Sequence, residues 1–422
     1  MSPRLRSLIT CGLLAIATLL FYGIRLAGPL APAERALADQ ARAIAATGHD
    51  LEGHTFPLYL HVADAEWLQP VPVYVSALLL RGLPADEDAN RWPGLLAGAL
   101  DVALLFLIVR RLVGRDLPAA IAAGLLILTP AHFSFSRVAL DSIFQLPFVL
   151  GWLLCLFGFL ELGGAWRLFA AMFLLGIGCF TATSAPITMG AYAVLTMFAL
   201  RRHGSAVARH YAVAAAGFVL PLLLTLPWYA AHPATYADTL GRWAIHPAHL
   251  RYPLEGLRAL VNWGALGGRA SIYWALLNPA FLFLPGGSPL PGFAPGPWIL
   301  LTPLAGLMLA GGSQMISEGL SPTSLVLVCG YLLAPMSAST FGEPDAIGRA
   351  LALVPCAVLI AARGATWLIS APVPILRAAG IALLLLVPVQ FAFFHHESLA
   401  APPAAITKQG PNIATEVTPS PP

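Results

Sequence analysis

Long apolar runs, each near the length that crosses a bilayer, alternate with short breaks that carry arginine, and this pattern leaves few folds open. Eleven such runs lie near residues 8–30, 93–113, 117–132, 144–162, 166–182, 186–201, 211–231, 297–312, 322–338, 349–369 and 375–394. Only 10% of the chain is charged against 58% apolar, with mean hydropathy +0.77, so a soluble fold with this surface would precipitate. The expected class is an all-α polytopic membrane protein of about eleven transmembrane helices. The runs at 117–132 and 186–201 are among the shortest, and their ends are expected to shift or their helices to break inside the bundle.

The breaks carry Arg4, Arg6, Arg110, Arg111, Arg115, Arg167, Arg201, Arg202, Arg209, Arg363 and Arg377. Counted from a cytoplasmic N-terminus, these arginines all fall inside, which is the positive-inside pattern. The same count puts loops 31–92 and 232–296 outside, with a Pro-rich tail from about 397 that reads as disordered. The domain organisation is therefore one membrane domain, 1–396, and an external tail, 397–422, in a plasma or inner membrane. Ala31-Pro32-Ala33 has the small-x-small form of a signal-peptidase site, but the preceding stretch is long enough to span.

All but one of the 23 basic residues are arginine and the net charge is only +3, so no lysine-rich patch exists to neutralise a nucleic-acid backbone. The five cysteines sit inside apolar runs without CxxC spacing and read as buried thiols. Nine of the twenty acids fall between Glu34 and Asp88, which directs any polar chemistry to the first external loop.

In that loop Pro32 and Gly48 bracket a helix with Ala33, Leu37, Ala41 and Ile44 on one face and Arg35, Asp39 and Arg42 on the other. Glu34 belongs to neither stripe and leans toward the membrane surface or the bundle. Beyond it the glycines and the prolines around Trp67-Leu68-Gln69-Pro70-Val71-Pro72-Val73-Tyr74 predict turns that fold the loop back over the membrane face. Asp50, Glu52, His49 and His54 match no zinc spacing, and no metal or other cofactor is expected. Asp101, deep in the second span, reads as a bundle-interior hydrogen-bonding group.

Several segments resemble the GT-C membrane glycosyltransferases that use polyprenyl-phosphate sugars, among them protein O-mannosyltransferases and the lipid A aminoarabinose transferase. Glu34-Arg35-Ala36, thirteen residues before Thr47-Gly48-His49-Asp50, resembles that family's first loop. Arg91-Trp92-Pro93 with Gly98 is similar to its approach to span two, and Ser136-Arg137-Val138-Ala139-Leu140-Asp141-Ser142 to its Ser-Arg-x-x-Leu-x-Asp-Ser stretch. Asn278-Pro279-Ala280-Phe281-Leu282-Phe283 resembles the end of its second loop, and Pro344-Asp345-Ala346-Ile347-Gly348-Arg349 its late-span motif. Two departures stand out. Ala33 occupies the position of the Asp to which the family's catalytic base is usually assigned, and Gln69 stands where some relatives have Lys.

The resemblance implies inverting transfer of a sugar from a polyprenyl-phosphate donor to an envelope glycan, lipid or protein on the external face. It implies Glu34 or Asp141 as base, Arg137 and Arg349 on the donor phosphate, and Asp50, Gln69, Tyr74 and Arg91 in contact with substrate. Fixed arginines suit this chemistry, because their forked donors hold a departing phosphate without a metal. Two rival readings are a transporter or flippase, which predicts polar residues at mid-membrane, and a non-catalytic relative that binds polyprenyl lipid. A topology reporter fused after Arg202 is expected to register as cytoplasmic and one after Pro422 as extracytoplasmic. A cytoplasmic signal from the C-terminal fusion would mean that the span count is wrong.

Overall fold

The computed structural model describes residues 2–24, 26, 28–62, 67–84, 86–204, 207–233, 235, 263–285, 290, 298–341 and 346–400. Much of the second external loop, Pro344 and Asp345 of the late-span motif, and the tail beyond residue 400 lie outside the described residues.

Helix α1 (Pro3–Gly23) is followed by α2 (Pro32–Thr47), strands β1 (Leu60–His61) and β2 (Trp67–Leu68), and α3 (Pro70–Leu80). A 3-10 turn, Asp88–Arg91, leads into α4 (Trp92–Val113), then α5 (Asp116–Ile127), α6 (Pro130–Ser136), α7 (Gln145–Leu162), α8 (Ala165–Gly178) and α9 (Ala185–Arg202). Next come α10 (Ala208–Leu222), α11 (Thr225–Ala231), α12 (Trp263–Leu277), α13 (Pro279–Phe283) and α14 (Thr302–Ser317). The chain continues as α15 (Pro322–Leu333), α16 (Met336–Phe341), α17 (Ala346–Arg349), α18 (Leu353–Ile369) and α19 (Pro374–Ala400).

Each of the eleven apolar runs contains helix, and the chain is a multi-pass integral membrane protein. The described residues do not establish the count of eleven spans. Six described helices, or seven when a bent pair is taken as one, are long and apolar enough to cross. The remaining runs form shorter or more polar helices. At 14 residues, α8 reaches only about 21 Å, short of a bilayer core of roughly 30 Å. The run at 117–132 is the bent pair: α5 and α6 meet at 67°, where Pro130 starts the second helix. The first span ends at Gly23, well before Leu30.

At the arginine-rich end, Asp116 accepts from Arg6 at 2.9 Å, Arg110 at 2.6 Å and Ser7 at 2.6 Å, tying α1 and α4 to the start of α5. Arg111 meets Glu161 at 2.8 Å, and Arg363 pairs with Glu318. Mid-bundle, Asp101 contacts His132 Nε2 at 3.3 Å, and His132 Nδ1 lies 2.8 Å from the Tyr22 hydroxyl, which donates to the Ile127 carbonyl at 2.9 Å. Asp101 therefore takes the bundle-interior role expected of it. All three side chains are fully buried, and they join α4, α6 and α1.

The first loop differs from the sequence reading in one respect. Its prolines start a helix where turns were expected: Pro70 and Pro72 occupy the first turn of α3, whose N–H groups need no helical partner. Helix α2 has its expected bounds, closed by Gly48 in the left-handed conformation at φ 76°. Its buried face is Glu34, Leu37, Ala38, Gln40, Ala41 and Ile44, packed on α3 through Val73, Ala77 and Leu80. Glu34 thus lies within the buried stripe, while Ala33 is half-buried beside it.

Candidate active site

Glu34 locks the first loop onto the bundle. Its Oε1 accepts from Arg91 Nε at 3.1 Å and from the Ala139 amide at 2.9 Å, and its Oε2 accepts from the Ala31 amide at 2.9 Å. The two side chains are 1% and 2% exposed, so α2, the approach to α4 and the segment after α6 meet on one buried ion pair. Close approach of these segments requires Gly94: a Cβ there would lie 2.9 Å from the Val138 carbonyl oxygen and 3.0 Å from that of Ser136. On the outer side of α2, Arg42 donates to Asn90 at 2.9 Å and to the Asp86 carbonyl at 2.7 Å.

Under this clamp is a cavity of about 100 Å3 walled by Ala33 and Leu37 of α2, Trp67 and Leu68 of β2, Leu140, Asp141 and Ser142. Its far wall holds Thr183 and Ser184 before α9, Phe341, Gly348 and Arg349. Two of the residues singled out from sequence, Asp141 and Arg349, are thus brought together from positions more than two hundred residues apart. The Ser142 hydroxyl donates to Asp141 at 3.4 Å, and the Arg349 guanidinium lies 5.8 Å from the centre of the Phe341 ring. Gly348 admits this packing, since a Cβ on it would meet Ser142 Oγ at 2.7 Å, and its carbonyl accepts from Gln145 at 2.8 Å.

The other sequence candidates lie elsewhere. Arg137 donates through Nη1 to the carbonyls of Tyr22 at 2.6 Å and Ile24 at 2.8 Å, with its guanidinium 4.7 Å over the Phe133 ring. Helix α6 ends at Ser136, so Arg137 and Asp141, four apart in sequence, do not stand one turn apart on a helix. Arg91 is in the clamp. Gln69 is buried at the start of α3, and the Tyr74 hydroxyl donates to the Pro57 carbonyl at 2.6 Å. Burial, and then the charge of Asp50, push the Tyr74 phenol up to about 12, so it remains a donor at neutral pH.

Asp50 organises its own turn. Oδ1 accepts from the amides of Glu52 at 3.0 Å and His54 at 2.7 Å, and Oδ2 meets His54 Nδ1 at 3.2 Å. Asp50, Glu52 and His54 each offer a ligand atom within 4.8 Å of the others, a grouping of metal-binding type that their spacing in sequence did not suggest. Both oxygens of Asp50 are already engaged, which lowers their value to a cation. This turn borders a second, larger cavity of about 600 Å3, walled by Tyr59, Trp67, Trp228 and His232. Trp67, Ser184 and the Thr183 backbone turn were not legible as site residues, because no charge or spacing marks them.

Residues 69–229 match the model of the dolichyl-phosphate-mannose-protein mannosyltransferase family. No curated protein matches the chain in sequence. Among solved structures, the chain is similar to apo ArnT from Cupriavidus metallidurans, with TM-score 0.59 and 13% identity over 94% of this chain and 74% of that one. ArnT bound to undecaprenyl phosphate matches with TM-score 0.55 and 11% identity over 93% and 73%. The archaeal oligosaccharyltransferase AglB from Archaeoglobus fulgidus, in complex with an inhibitory peptide and a dolichol-phosphate, matches with TM-score 0.52 and 14% identity over 96% of this chain and 56% of that one. The fold is therefore ArnT- and AglB-like, and the GT-C resemblance read from the motifs holds.

The clamp makes a stability prediction. Glu34→Ala leaves a buried guanidinium and two amides without their acceptor and is expected to cost about 3–5 kcal/mol. Glu34→Leu combined with Arg91→Met is expected to recover the part of that loss due to the unpaired guanidinium, while the Ala31 and Ala139 amides still lack an acceptor. Thermal unfolding of the purified protein in detergent reads both, and a wild-type midpoint for Glu34→Ala would show that the clamp does not hold the loop.

Proposed function

We propose that the chain is an inverting glycosyltransferase that moves a sugar from a polyprenyl-phosphate donor to an envelope acceptor on the external membrane face. The observation that carries this reading is the cavity beneath the first loop, where a carboxylate, Asp141, and a guanidinium, Arg349, share walls with hydroxyl side chains. The fold shared with ArnT, a protein solved with undecaprenyl phosphate bound, supports it. So does the match to a mannosyltransferase family model over residues 69–229.

In this reading the acceptor hydroxyl attacks the anomeric carbon from the face opposite the phosphate. Asp141 takes the hydroxyl proton as the new C–O bond forms. The bond between the anomeric carbon and the phosphate oxygen breaks, its electron pair leaves with the phosphate, and Arg349 compensates the charge that develops there. A monophosphate and one forked guanidinium are matched in geometry. Arg137, bonded to the end of α1 and stacked on Phe133, acts here as a positioning residue for the segment that carries Asp141. Glu34, consumed by Arg91 and two amides, serves the same end.

Ala33 favours a second reading. It lines the cavity where the related enzymes carry an Asp, so a chain that only binds polyprenyl lipid would keep the pocket and lack this carboxylate. Turnover separates the two. If Asp141 is the base, Asp141→Asn is expected to lose roughly 10²-fold or more in turnover while still binding polyprenyl phosphate. Arg349→Lys is expected to lose much of both binding and turnover, because an ammonium lacks the fork, and Arg349→Ala nearly all. Unchanged turnover in Asp141→Asn removes it as base, and unchanged binding in Arg349→Lys removes Arg349 from the phosphate site. Ala33→Asp raising activity would identify a weakened enzyme.

A further inference from the structure

Next to the cavity that holds Asp141 and Arg349 is the larger one of about 600 Å3, within the roughly 300–1,000 Å3 of small-molecule sites. The two share Trp67 as a common wall. We infer that this second cavity is the subsite for a saccharide ring of the acceptor, which makes the acceptor a glycan or glycolipid. The inference rests on the glycosyl-transfer reading and names the acceptor class for that site.

The walls divide into two kinds. On one side are aromatic faces. Tyr59 meets Trp228 edge-on at 5.8 Å and 64°, and Trp67 meets Trp228 at 6.2 Å and 81°. His232 stacks flat on Trp228 at 4.1 Å and 20°, and the Trp228 indole N–H donates to Thr235 at 3.3 Å, so the plane of Trp228 is fixed from behind. Tyr229 stacks on Tyr59 at 5.9 Å and supports it in the same way. On the other side is a polar rim: Glu52 bonds His61 at 2.7 Å and lies 3.7 Å from His54, while Asp50 fixes the turn that presents them.

A pyranose carries C–H groups on its faces and hydroxyls on its edge, so it fits a site with aromatic platforms on one side and carboxylate and imidazole on the other. A lipid tail would leave the rim unsatisfied. A peptide added as a strand would be held through its backbone and would leave the aromatic faces unused. Trp67, the wall common to the two cavities, has a buried indole N–H without a hydrogen-bond partner among the described residues. A ring seated against Trp67 sets a hydroxyl toward the cavity of Asp141.

The test is saturation-transfer NMR on the full-length protein in detergent, with methyl glycosides of glucose, galactose, mannose and N-acetylglucosamine and their β-linked disaccharides as probes. Wild type is expected to transfer saturation to the ring protons of at least one probe. Trp228→Ala is expected to weaken that binding roughly 3- to 10-fold, and Trp228→Phe to retain it, since the phenyl ring keeps a stacking face. Because binding needs no transfer, loss of the catalytic reading alone would leave these results unchanged. No transfer to any probe, or equal binding by wild type and Trp228→Ala, would overturn the proposal. Displacement of the probe by a polyprenyl-phosphate sugar, but not by sugarless polyprenyl phosphate, would assign the cavity to the donor's sugar and overturn the acceptor assignment.

Discussion

The buried ion pair between Glu34 and Arg91 is the contact on which the outer face of this protein depends. Charges this deeply buried are expensive to desolvate and contribute little net stability against an apolar alternative. What the pair provides is position. Its carboxylate accepts from the start of α2, from the approach to α4 and from the Ala139 amide, so three segments distant in sequence are held at one point. Ala33, the neighbour of Glu34, and Asp141, two residues past Ala139, then face the same cavity. Without the clamp, α2 keeps its packing on α3 and β1 and the bonds of Arg42 to Asn90 and Asp86, none of which reaches the segment that carries Asp141.

The bundle beneath supplies the rest of the site. Gln145 at the start of α7 fixes the backbone at Gly348, which delivers Arg349 to the cavity from the far end of the chain. Arg349 is half-buried there, lining the cavity with its guanidinium near the Phe341 ring. Polar groups also lie deeper, in the row formed by Asp101, His132 and Tyr22, but that row joins helices and lines neither of the cavities under the first loop.

Much of this arrangement is legible in the sequence, for physical reasons that differ from feature to feature. The apolar runs dictate helices because a bilayer leaves backbone polar groups no other partner. Pro32 and Gly48 bound α2 through fixed φ at one end and tolerance of positive φ at the other. Asp141 and Arg349 stand out as charges at the ends of apolar spans. What sequence could not show is pairing. Glu34 and Arg91 each suggest substrate contact alone, and only their meeting across the loop reveals a structural lock. Number of spans is equally opaque, since a run such as 117–132 looks continuous until Pro130 bends it. The aromatic cavity escapes, because Tyr59, Trp67 and Trp228 are separated by up to 169 positions and nothing in their spacing marks them as neighbours.

The central claim is that the cavity of Asp141 and Arg349 performs sugar transfer rather than storage of a lipid. Its most direct test is to incubate the purified wild-type protein with labelled polyprenyl-monophosphate sugars and extracted envelope glycans and glycolipids, following both products. The account predicts that one donor loses its sugar to an acceptor while free polyprenyl phosphate appears in equal amount. Saturable binding of polyprenyl phosphate with no release of sugar from any donor would contradict it and leave a lipid-binding protein on a glycosyltransferase fold.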